Sequence, residues 1–121
     1  MFNQSANRYA GSGGYSDAVA GRYAAIGNDA GIVVDKYQKG ENCTEDLLRI
    51  AETIYKMREN RLGQFESSNH PDFQMLNAEK INTLNAIRQD NGQTNPIQVL
   101  KALIARATGG GIPPELDNLK T

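Results

Sequence analysis

The sequence predicts an all-α protein, an up-and-down bundle of three to four helices with flexible N- and C-terminal arms. Three observations predict it. Apolar residues recur in steps of three and four through residues 15–108, a spacing that keeps them on one face of a 3.6-residue helix. Capping and breaking residues punctuate the pattern at "QKGENCT", "SSNHP" and "RQDNGQTNP". Both ends depart from it, with Gly, Ser and Asn at the front and Gly and Pro at the back. The 121 residues therefore divide into an N-terminal arm over 1–14, a helical bundle domain over 15–108 and a C-terminal tail over 109–121. A chain of this length buries one small core.

The first helix is carried by Tyr15, Val19, Tyr23, Ile26, Ala30, Val33 and Tyr37, and the spacing gives it about 22 residues. Ser16 can cap it, Asp17 suits its positive end, and Gly40 suits the left-handed residue that closes it. Gly21, Gly27 and Gly31 lie in its interior, each costing about 1 kcal/mol relative to alanine. With Ala20, Ala24 and Ala25 they form a small-residue surface, which points to close packing by another helix. A competing pattern breaks the helix at "GNDAG" and leaves "IVV" as a short extended segment.

The second helix starts with Thr44 as N-cap and with Glu45 and Asp46 in the first turn, where the helix dipole favours negative charge. Its stripe is Leu47, Ile50, Ala51, Ile54, Met57, Arg58, Arg61, Leu62 and Phe65, and the face with Glu52, Lys56, Glu59 and Asn60 reads as solvated. Pro71 opens the third helix, which places Phe73, Leu76, Ile81, Leu84 and Ile87 on one face among Asn77, Asn82 and Asn85. Asn95 and Pro96 start the fourth, "IQVLKALIARA". It is apolar on most sides, so it belongs either at the centre of the bundle or under another subunit.

Motifs for chemistry are few. "GSGG" lacks the Lys-Ser/Thr of a phosphate loop and follows no strand. His70, the only histidine, has Asp72 nearby but no set of companions at ligand spacing. Cys43 is the single cysteine, which excludes an internal disulfide framework; it reads as an ordinary residue beside a helix start. The "DNGQTN" turn between two helices resembles a helix-turn-helix in outline, with Lys101 and Arg106 facing outward. A net charge of −1 supplies none of the basic footprint that nucleic acid or an anionic membrane requires. The N-terminus has no basic and apolar signal segment, and no stretch approaches a membrane span.

These features predict a non-enzymatic structural subunit of a larger assembly, of the virion, connector or secretion-apparatus type, made in the cytoplasm. Incorporation in a virion or export without a cleaved signal is compatible with it. Its partners would be other copies of itself or neighbouring assembly proteins, with no nucleic acid, membrane, metal or cofactor. Phe2 and Tyr9 in the arm, Tyr23, Gly27 and Gly31 on the first helix, and Leu100, Leu103 and Ile104 on the fourth are the expected interface residues. The alternative is a small helical adaptor, chaperone or inhibitor of the immunity-protein type that binds a foreign partner with the same surfaces.

Overall fold

The computed structural model describes residues 17–63 and 70–108. They form four packed helices, α1 (Asp17–Gln38), α2 (Thr44–Gly63), α3 (Pro71–Asp90) and α4 (Pro96–Thr108), with no strand among the described residues. The fold is the all-α bundle that the periodicity predicts.

α1 runs unbroken through "GNDAG" for 22 residues. Tyr23, Ile26, Ala30 and Val33 fall on one face and are almost wholly buried, and that burial offsets the cost of the interior glycines. Its end follows the expected chemistry. Gly40 has φ +75°, and the Glu41 N–H reaches back to the Lys36 carbonyl at 2.8 Å, closing the last turn as a Schellman-type cap.

The start of α2 differs from expectation in one detail. The helix already includes Thr44, whose N–H donates to the Asn42 side-chain oxygen at 2.8 Å, while the Cys43 carbonyl accepts the first helical hydrogen bond from Leu47. Asn42 thus supplies the cap expected of Thr44, and the buried Thr44 hydroxyl has no hydrogen-bond partner among the described residues. At α3, the His70 Nδ1 accepts from the Asp72 N–H at 3.1 Å, so the lone histidine is an N-cap. At α4, Asn95 caps as predicted, its Oδ1 accepting from the Ile97 N–H at 2.9 Å.

Side-chain pairs give the helix directions. Lys36 with Asp46 and Asp29 with Arg49 set α1 antiparallel to α2. Tyr55 bonded to Thr83, with Gly63 beside Phe73 one end further on, sets α2 antiparallel to α3. Asn95 bonds Tyr37 at one end of the molecule and Arg106 bonds Tyr55 toward the other, so α4 runs alongside α2 in the same direction. The order is up, down, up, down.

α2 is the hub, packing extensively on all three other helices, whereas α3 packs extensively on α2 alone. The reason lies in its sequence. Asp46, Leu47, Leu48, Ile50, Ala51, Ile54, Tyr55 and Met57 are all buried and span more than half of the helix circumference at 100° per residue. Two places are expected for α4, the centre of the bundle or under another subunit; its buried face packs on α1 and α2 of the same chain, while α2 is the helix that packs on all three others.

Candidate functional site

Because α3 is held mainly by α2, it stands apart from α4 and leaves a groove of about 770 Å³ between them. The floor is Leu47 of α2, Ile87 of α3 and Leu103 of α4, all buried. Ala78 and Ala86 on one wall and Ala102 on the other are exposed and short, so the walls stay apart at these positions, and Arg106 reaches across only at Thr83. Val99 adds to the apolar lining, and Met75, 70 % exposed, stands at one end.

The Met75 end is polar and positively charged. The Tyr55 ring is fully buried, and its hydroxyl donates to the Glu79 carboxylate and lies 3.0 Å from the Thr83 hydroxyl. Arg58 donates to the same carboxylate and lies over the Tyr55 ring at 5.2 Å, a cation–π arrangement. Arg106 donates to Thr83 Oγ1 at 2.7 Å and to the Tyr55 hydroxyl at 3.3 Å. Burial works against the charge on Glu79, but the bonds from Tyr55 and Arg58, together with the nearby charge of Arg106, outweigh it and hold the carboxyl below its usual range. Arg58 therefore bonds the Glu79 carboxylate directly, and Arg106 reaches the same cluster through the Tyr55 and Thr83 hydroxyls. With Tyr55 donating and Glu79 ionised, the cluster ties α2, α3 and α4 together, and it contains no nucleophile poised beside a base.

The opposite end is a built turn. The Asp90 carboxylate accepts from the Thr94 N–H at 3.0 Å and from the Thr94 hydroxyl at 2.6 Å, bonds that lower its pKa. Asn91 is left-handed and Gly92 has φ +82°. Asn42 bonds both the carbonyl and the side chain of Asn91, fastening this turn to the start of α2.

Residues expected at an interface take different places. Tyr23, Leu100, Leu103 and Ile104 belong to the chain's own core cluster; in this fold they are enclosed by neighbouring helices, and only Leu103 reaches the groove, as part of its floor. Gly27 and Gly31 are half-buried on α1. A Cβ at Gly31 would meet nothing within 4 Å, so no packing among the described residues requires the glycine there. Phe2 and Tyr9 lie outside the described residues.

The sequence reading did not assemble the cluster of Tyr55, Glu79, Thr83 and Arg106. Its faint signal is Glu79 and Thr83 four residues apart on α3, one helical turn of polar positions beside the apolar stripe. Arg58 pairs with Glu79, and Arg106 is likewise engaged within the chain. Cys43 is buried, its thiol donating to the Val33 carbonyl at 3.5 Å, and burial raises its pKa, which disfavours the thiolate. The described residues contain no group of three or more His, Cys, Asp or Glu able to hold a metal, and no helix long and apolar enough to cross a membrane. The chain matches no protein-family model, no curated protein and no solved structure.

Proposed function

We propose that the protein is a non-enzymatic subunit of a larger protein assembly, of the virion, connector or secretion-apparatus type, and that it engages a neighbouring protein through the groove between α3 and α4. The observation that carries this reading is the groove itself, an apolar trough with alanines on both walls, Arg106 and Glu79 among its polar lining, and an exposed methionine at one end. Such a shape suits a helix or an extended segment whose apolar side chains fill the floor. The outer face of α1 adds a second candidate contact, since Gly21, Ala25, Asn28 and Ile32 follow one another along it and all are exposed. Contact surfaces on different faces suit head-to-tail association.

A second reading has its own support. The core closes without a second subunit, because Leu100, Leu103 and Ile104 are buried within the chain. That favours a free-standing adaptor, chaperone or inhibitor that takes a foreign segment into the same groove.

Light scattering coupled to size-exclusion chromatography over a wide concentration range tests both. Ala102→Arg places a long charged side chain across the groove from an exposed position. If the assembly reading holds, the parent chain grows with concentration, whereas Ala102→Arg stays monomeric with unchanged helicity. A parent chain that is monomeric throughout rejects assembly by itself and moves the search to foreign partners.

A further inference from the structure

We infer that the segment taken by the α3–α4 groove is a helix of a different protein, one that presents an acidic residue and, two turns later, a basic residue on its apolar face. This rests on the reading of the groove as a docking surface and names the chemistry of what docks there.

Charge carries the argument. Arg106 is exposed at the groove and, among the described residues, bonds only hydroxyls, those of Thr83 and Tyr55. The Glu79 carboxylate nearby is taken by Arg58 and Tyr55, so no carboxylate is bonded to Arg106. Asp90 is the reverse case. It lines the groove, its bonds come from Thr94 and the backbone of its own turn, and it has no ion-pair partner among the described residues. One cation and one anion thus border the same apolar floor without an opposite charge bonded to either, and a docked segment gains direction and specificity by answering both.

Spacing selects a helix. Arg106 is bonded to Thr83, seven residues before Asp90 on α3, which separates the two charges by about 10 Å along the groove at 1.5 Å per residue. Seven residues of a docked helix make two turns and return to the same face, and the positions three and four residues after the first charge lie between them. Those positions meet the floor at Ile87 and Leu103. A β-extended segment covers about 10 Å in three residues, whose end side chains point to opposite faces. An acidic residue first and a basic one second also agrees with the docked helix's own dipole, so it runs in the direction of α3.

The same pattern argues against a second copy. Within the described helices only Asp29 and Lys36 place an acid seven residues before a base. Both are engaged inside the chain, Asp29 by Arg49 and Lys36 by Asp46. The complement to the groove therefore comes from another protein.

Fluorescence anisotropy on the full chain tests this, with a labelled helical peptide whose face carries Glu, Leu, Leu and Lys at i, i+3, i+4 and i+7. It is expected to bind saturably, and the same peptide with Glu and Lys exchanged is expected to bind about tenfold more weakly at low salt, since two attractive pairs become two repulsive ones. Added salt should shrink that preference. Arg106→Glu is expected to cancel it, and Arg106→Gln, which adds no charge beside Glu79, to leave about threefold of it. Equal affinity for the two peptides, abolished by Ala102→Arg, would overturn the charge-paired helix and leave the groove as a docking surface. Binding that Ala102→Arg leaves unchanged would reject both ideas. Absence of binding overturns the inference, and so does self-association that Ala102→Arg abolishes, because it seats a second copy in the groove.

Discussion

α1 and α3 both pack against α2, and they do so by different physics. α1 contributes Tyr23, Ile26, Ala30 and Val33, each at most 2 % exposed. α3 contributes only Leu76 and Ile87 as buried apolar residues, at 7 and 8 %, and leaves Met75 and Ile81 at least half exposed. Its Asn77, Asn82 and Asn85 are all exposed. What α3 lacks in burial it partly recovers through polar bonds from Glu79 and Thr83 and a fastened turn at Asn91. Apolar burial scales with area and closes gaps, whereas a few directional bonds hold a helix at points and leave space between them. The groove is the consequence.

The largest expected effect is therefore at the α1 contact. Ile26→Ala should cost about 3 kcal/mol, against about 2 kcal/mol or less for Ile87→Ala, both measured by urea unfolding. Native-state hydrogen exchange should find α3 opening at lower free energy than α1, α2 or α4. Equal costs and equal protection would dissolve the contrast.

The two carboxylates that bridge helices sharpen it. Asp46 is 2 % exposed and takes Lys36 at 2.8 Å as well as Arg49; burial opposes its charge, but those bonds prevail and lower its pKa. For Asp46 and Glu79 alike the folded pKa lies below the unfolded one, so each contribution is complete above the ordinary carboxylate range and disappears as pH falls through the lowered value. Asp46→Asn should cost about 2 kcal/mol at neutral pH, and Glu79→Gln less, because Asp46 is the more deeply buried. Either variant should show a shallower loss of stability in acid than the parent, read from thermal unfolding at a series of pH values. A parent curve that is flat through the acid range would remove both bridges from the account.

Two glycines give the smaller effects. At Gly92 a Cβ would sit 2.9 Å from the Asn42 amide nitrogen and the residue is left-handed, so Gly92→Ala should destabilise by about 1 to 2 kcal/mol. At Gly31 the space is open, and Gly31→Ala should stabilise the isolated chain by about 1 kcal/mol. Circular dichroism melts decide both signs. Replacing Gly27 and Gly31 together with leucine is then the test of the outer face of α1: association that survives it shows that no close helix contact forms there.

Much of this fold was legible locally. Gly40, Asn95 and Pro96 mark helix ends by their own backbone chemistry, and the four-three spacing from Tyr23 to Val33 already determines which face of α1 is inward. Residues of this kind act on neighbours within one turn, so the sequence by itself determined an all-α bundle of three to four helices, their approximate limits and most of the core. It misjudged Thr44, because the choice between Asn42 and Thr44 as cap depends on a loop conformation fixed by the distant Asn91.

Tertiary structure decided the rest. Periodicity tells a helix which face to bury but not how many neighbours will bury it, so the hub role went to α2, where Leu48 and Tyr55 extend the stripe, and Leu100, Leu103 and Ile104 became internal packing. The meeting of Tyr55, Glu79, Thr83 and Arg106 is made by bonds between helices that join residues 23 to 51 positions apart, and no local preference encodes that separation. The groove is further still from the sequence, since a gap is a property of how two helices sit on a third, set by the balance of their buried areas and not by any residue that lines it.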